Sequence, residues 1–268
     1  MGAFLMIVCI FAVFFRSDFV LFLYAHFAPG RLMDKVTRYQ PVISRKLFYF
    51  ATRMGGMKSD LKRFPGTLPP VFLIVSNHQS LVDIPAIAIA FSRNKLRFVA
   101  KKELSRGIPY VSRALRYGQH ALISRKGDYR AGQKELRRFA ALAHQGLSPV
   151  VFPEGSRSRT GMVRDFFSGA VRIVLEKESL PVLAVAVDGG YRMATLPQLL
   201  LHVRDTHYRV KPLTLYPAPK GKREITALLE TVHDEIAAQV TEWRAADKCG
   251  QKKTHPSAKD ARDGPASK

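Results

Sequence analysis

Acidic residues are scarce in this sequence. Asp and Glu number 21 against 43 Lys and Arg, a formal net charge of +22 over 268 residues. That imbalance makes an anionic partner the expectation but does not choose among nucleic acid, lipid headgroups and acidic substrates. Cysteine is nearly missing too. Cys9 and Cys249 sit at opposite ends, without a C-x-x-C partner or histidines at metal spacing. A disulfide framework and a structural zinc therefore have no support. There is no G-x-x-x-x-G-K-[ST] loop for nucleotide phosphates and no G-x-S-x-G elbow for a serine hydrolase of the common form. Nor is there a helix-turn-helix, an aromatic RNA-binding pair or a zinc module, and the basic residues are spread along the whole chain. A nucleic-acid-binding protein is thus disfavoured.

An unbroken apolar run of spanning length is also lacking. Residues 3–15 are apolar, Arg16, Ser17 and Asp18 interrupt, and 19–27 are apolar again. One spanning helix wants about 20 apolar residues, and each charge at the bilayer centre costs roughly 2.5–3.5 kcal/mol. No basic n-region or small-x-small site marks a secretory signal, and Met6 stands where a myristoylation motif needs Ser or Thr. The reading that fits is an apolar helical hairpin or re-entrant segment dipping into one leaflet, within a membrane-associating region 1–44. Arg31, Lys35, Arg38, Arg45 and Lys46 would then meet anionic lipid headgroups, at about 1 kcal/mol each. A helix buried against the rest of the protein and a span ending near Phe27 are the alternatives.

From residue 45 short apolar runs alternate with helical patterns. Strands are expected at 71–76, 96–100, 120–124, 149–152 and 181–188, and helices at 83–91, 129–145, 166–177 and 225–243. Such alternation predicts an α/β fold for 45–245, a central, mostly parallel sheet flanked by helices. Residues 246–268 are rich in Lys, Asp, Gly, Pro and Ser and read as a disordered basic tail.

Two motifs sit at expected strand ends, where such folds build their sites. The first is Asn77-His78-Gln79-Ser80-Leu81-Val82-Asp83. On a continuous helix, His78 and Asp83 would point about 140° apart, so they meet only if the chain turns between them. Asp83 would then accept from Nδ1 of His78 and leave Nε2 as a base for a hydroxyl nucleophile. The plain reading is a capped helix, with His78 a satisfied loop residue. The second motif is Phe152-Pro153-Glu154-Gly155-Ser156-Arg157-Ser158-Arg159. Gly155 permits close backbone approach or positive φ. Arg157 and Arg159 offer forks for phosphate oxygens, at roughly 1.5–3 kcal/mol per bond. Glu154 is an organiser of the loop or an acceptor for a substrate hydroxyl. The plain reading here is a solvated basic loop. Arg125, after the strand expected at 120–124, is a third cation able to converge on one anion, or a surface arginine.

In order, NHQSLVD, KKEL…IP, G…ISR, FPEGSRSR and LPVLAVAV, over roughly 70–190, resemble the glycerolipid acyltransferases, the 1-acylglycerol-3-phosphate acyltransferase family. The resemblance implies that His78 and Asp83 are the catalytic dyad. It also implies that Arg125, Glu154, Gly155 and Arg157 bind the glycerol phosphate. An acyl group would pass from a thioester, acyl-CoA or acyl-carrier protein as co-substrate, to the hydroxyl of a lysophospholipid acceptor. No cofactor, metal or covalent enzyme intermediate is implied. The site would lie at the cytoplasmic face of an inner or plasma membrane. The chain departs from the family at Ser124 for Asp, Ser156 for Thr, and Ser168 where Lys precedes a glycine. These departures bear on which lysolipid is the acceptor rather than on the reaction type.

Overall fold

The structure is a computed structural model that describes residues 2–124 and 128–254. The chain opens with α1 (Gly2–Phe27) and α2 (Leu32–Arg53) and reaches the sheet at β1 (Lys58–Leu61). Then come β2 (Leu73–Ser76), α3 (Asp83–Ala90), β3 (Lys95–Lys101), α4 (Val111–Tyr117), β4 (Ala121–Ile123), α5 (Tyr129–Ala141), β5 (Leu147–Val151) and α6 (Ser168–Lys177). The described chain ends with β6 (Val182–Asp188), α7 (Leu196–His202), β7 (His207–Tyr216) and α8 (Gly221–Thr254).

The seven strands lie in the order β1-β7-β6-β2-β5-β3-β4. Neighbours from β6 to β4 run parallel, while β7 is antiparallel to β6 and carries β1 alongside it in parallel. The mostly parallel α/β sheet expected from the alternation is what forms. Its central strands are buried on both faces, and all seven residues of β6 are buried. Alternate side chains feed two cores. Leu73, Val75, Ala184 and Ala186 pack with α5, α6 and α8, and Phe72, Ile74, Leu183 and Val185 pack with α2 and α3.

Pro85 falls in the first turn of α3, where its missing N–H breaks no intrahelical bond. The helix expected at 129–145 is α5 followed by one 3₁₀ turn, and Gly146 stops it in the left-handed region at φ 72°. Two strands were not expected. β1 is a four-residue polar edge strand, and β7 holds His207, Arg209, Lys211 and Pro212. Pro212 is tolerated beside a register shift of the β6/β7 pair, where ladder bonding is already irregular. α8 runs to Thr254, beyond residue 246, where a disordered tail was expected. Residues 255–268 lie outside the described chain.

The break expected at 16–18 is absent, so the apolar segment is not a hairpin folded at that point. α1 is one continuous helix of 26 residues, and the reversal falls at Pro29–Arg31. The charge that argued against continuity has a partner in the protein. Asp18 accepts the main-chain N–H of Tyr110 at 3.0 Å and pairs with Arg113 at 2.9 Å. Phe14 stacks on Tyr110, and Leu21 packs with Leu32, Val36 and Tyr110. One side of α1 is thereby docked on α2 and α4. The other side exposes Phe4, Val8, Phe11, Phe15, Phe19 and Phe22 at three- and four-residue spacing, a continuous apolar stripe. α1 is long and apolar enough to cross a membrane.

Candidate active site

The carboxyl ends of β6, β2 and β5, three neighbours at the middle of the sheet, deliver the two motifs to one place. Asn77 locks the exit of β2: its amide donates to Val187 O and its Oδ1 accepts from Val187 N, both at 2.9 Å. The chain then turns sharply around the Asp83 carboxylate. Oδ2 accepts from Gln79 N at 2.6 Å and Ser80 N at 2.9 Å, and Oδ1 accepts from Ser80 Oγ at 3.3 Å. Asp83 begins α3 and is fully buried, where the positive end of the helix favours an anion. The turn brings His78 Nδ1 within 2.7 Å of Asp83 Oδ2. With Nδ1–H donated there, Nε2 is the nitrogen left to take a proton.

One face of the imidazole is covered. His78 stacks on Phe152 with ring centroids 4.2 Å apart, Phe152 on Phe98, and Phe98 on His120. Burial, with the Arg97 charge adding to it, pushes His120 down to about 3. It is therefore neutral at physiological pH, and its Nδ1 accepts the Phe98 N–H at 3.0 Å. The column beneath His78 accordingly carries no cation at its far end.

The second motif is tied to the first. Glu154 is buried, and its Oε1 accepts the His78 main-chain N–H at 3.0 Å. Ser158 N donates back to His78 O at 2.7 Å. Oε2 is buried and makes no hydrogen bond among the described residues, although the Arg164 main chain lies close enough to favour the anion. Burial pushes the Glu154 carboxyl up to about 7; the His78 N–H opposes the rise and the Asp83 charge adds to it. A half-neutral carboxyl bonded to the histidine main chain fits the loop-organiser reading. A carboxylate would repel a phosphate. Gly155 turns at φ 63°, with its N–H donating to Phe152 O, a conformation that favours glycine. Arg157 is exposed and gives Nη1 to Ala194 O at 2.9 Å, and the exposed Arg164 bonds Ser156 Oγ. Arg125 lies outside the described residues. Among the described residues, no group of His, Cys, Asp and Glu is placed to hold a metal ion.

Three further residues complete the arrangement, and none carries a motif signal. Tyr208, fully buried at the start of β7, donates its hydroxyl to Asp83 Oδ1 at 2.6 Å. Asp188, at the end of β6, accepts from Gln79 Nε2 at 3.1 Å and from Arg244 of α8 at 2.8 Å. Gly190 passes so close that a Cβ there would lie 2.9 Å from Asp83 Oδ1 and 2.8 Å from Ser80 Oγ. The Asp-Gly-Gly after β6 was the available hint of such an approach.

Fold and site define a class: an α/β protein whose central parallel strands end on an imidazole held by a buried carboxylate. Known proteins resemble the chain in both sequence and fold. Residues 66–188 match the acyltransferase family model. A 1-acyl-sn-glycerol-3-phosphate acyltransferase of Cocos nucifera is 32% identical over 121 residues, 44% of this chain and 38% of its own. One of Helicobacter pylori is 34% identical over 110 residues, 41% of this chain and 45% of its own. The alignments thus span less than half the length of these two curated relatives. The crystal structure of the 1-acyl-sn-glycerophosphate (LPA) acyltransferase PlsC from Thermotoga maritima aligns over 91% of this chain and 98% of its own. The TM-score is 0.62 at 22% identity, which establishes a shared fold.

Proposed function

We propose that this protein is an O-acyltransferase that moves a fatty acyl group from a thioester to the free hydroxyl of a lysophospholipid, with 1-acylglycerol-3-phosphate the acceptor and phosphatidic acid the product. The observation that carries the reading is the 2.7 Å contact between His78 Nδ1 and Asp83 Oδ2. The names of the relatives support the acceptor. His78 Nε2 takes the hydroxyl proton as the oxygen attacks the thioester carbonyl. The tetrahedral intermediate collapses with cleavage of the C–S bond, and the proton on His78 passes to the leaving thiolate. General-base assistance of this kind contributes about 10²–10⁴ in rate. Asp83 fixes the ring and balances its transient charge. Arg157 serves the acceptor phosphate, with Arg125 assigned the same role by sequence. Glu154 and Gly155 shape the loop that carries Arg157. The donor is acyl-CoA or acyl-carrier protein, and α1 holds the site at the membrane.

A serine hydrolase, with Ser80 or Ser156 as nucleophile beside His78, is the competing reading, and the site argues against Ser80. Ser80 is fully buried, donates to Asp83 and accepts the Val82 N–H at 3.0 Å. Purified protein assayed against a lysolipid panel with both donors, with lipid mass spectrometry as readout, tests the proposal. His78→Ala should abolish transfer while the fold is retained, and no serine should label with a fluorophosphonate. Arg157→Ala should raise the acceptor KM with kcat little changed, as expected when ground-state phosphate binding is lost. A fall in kcat alone would remove Arg157 from the phosphate site.

A further inference from the structure

Two oxygens of Asp83 face two different sets of partners. Oδ2 meets His78 and the main chain of the turn, and Oδ1 meets Ser80 Oγ and, at the shorter distance, the Tyr208 hydroxyl at 2.6 Å. Tyr208 arrives from 125 residues further along the chain. β7 runs opposite to the central strands, so its beginning, and not its end, lies at the edge where β2 and β6 finish. A phenylalanine would fill the same volume and keep the edge-on contact with Phe48, whose ring centroid is 5.7 Å away. The hydroxyl makes its hydrogen bond to the carboxylate.

We infer that Tyr208 is a positioning residue for the reaction, bracing the Asp83 oxygen that His78 does not use. This rests on the reading of His78 as the base. A phenol bonded to a carboxylate has two effects. It fixes the plane of the carboxyl group, and so the line along which Nδ1–H is held. It also disperses negative charge and weakens the grip of Asp83 on a protonated imidazole. Burial and the Asp83 charge push the phenol well above its usual range, so it is a donor throughout the working pH range. The charged and titratable groups facing this centre are His78 from the β2 exit, Glu154 from the β5 exit and Asp188 from β6.

Tyr208→Phe removes the one oxygen atom. Expected is a fall in kcat of about tenfold, the scale of one charge-assisted hydrogen bond, with both KM values unchanged. The acid limb of the kcat/KM profile should move to higher pH, because a less solvated carboxylate holds imidazolium more tightly. A purely structural role would lower the amount of folded enzyme and leave the limb where it is. Site-specific 3-fluorotyrosine at position 208 keeps the ring and strengthens the donor, and should move the limb to lower pH. It decides the matter should the Phe variant fold poorly. An unmoved acid limb in both variants, or a Tyr208→Phe kcat within twofold of the parent, would overturn the inference. His78→Ala, run in parallel, separates the layers: if that variant stays active the dyad reading fails, and if it is inactive while Tyr208→Phe matches the parent, only the role of Tyr208 fails.

Discussion

Asp83 takes five hydrogen-bond donors on two oxygens: His78 Nδ1, the main-chain N–H groups of Gln79 and Ser80, Ser80 Oγ and the Tyr208 hydroxyl. Such a set stabilises the anion in a buried position. Its neighbour Glu154 lacks one, and the contrast has a measurable consequence. Its folded carboxyl sits at about 7 against an ordinary 4.5, so between those values the folded chain binds more protons than the unfolded one. Stability must then fall as pH rises from about 4.5 through 7, and the loss persists above that. At pH 8 the cost approaches about 3 kcal/mol, at roughly 1.4 kcal/mol per pK unit. Glu154→Gln keeps an acceptor for the His78 N–H and removes the titration. Thermal unfolding at pH 5 and pH 8 should show the variant gaining on the parent at the higher pH, and equal losses for both would refute the raised value. The dyad was legible from sequence because both partners lie in one short loop. Tyr208 was not, since a lone tyrosine in a charged stretch has no pattern that ties it to residue 83.

Among the elements, α8 does more than cover the sheet. Arg244, on its far half, reaches Asp188 at 2.8 Å, and Asp188 in turn holds Gln79, the residue after His78. One turn on, Asp247 pairs with Arg209 of β7. Arg244→Ala leaves the buried Asp188 with Gln79 as its remaining side-chain donor, at a cost of about 1.5–3 kcal/mol. Transfer activity should fall along with stability, and Asp188→Asn in the same chain should recover part of the stability. Full additivity of the two substitutions in denaturant unfolding would show that they do not interact. The strands missed from sequence were β1 and β7. A four-residue polar strand gives no periodic signal, and the charges and proline of β7 read as loop. The buried strands β2, β5 and β6 were legible because continuous β-branched runs have few other uses.

At the scale of the whole molecule, α1 has two sides with different roles. The inward side is fixed by Asp18, Phe14 and Leu21. The outward side leaves Phe15 61% and Phe19 60% exposed in a helix suited to lipid. Burying two such rings in acyl chains contributes roughly 1.5–3 kcal/mol each. Phe15→Ser with Phe19→Ser should weaken sedimentation with anionic vesicles by tenfold or more, with the α/β domain still folded. Unchanged sedimentation would mean that the stripe does not face lipid. Sequence located this segment but misjudged its shape: Asp18 was counted as a charge in lipid, when its partners, Tyr110 and Arg113, lie in a distant part of the chain.

The reversed direction of β7 also sets an order of events during synthesis. α1, His78 and Asp83 all precede Tyr208 in chain order, so the hydrogen bond from Tyr208 to the Asp83 carboxylate is the last of that set to become available as the chain is made. The apolar face of α1 is thus made well before the hydrogen-bond set around Asp83 is complete.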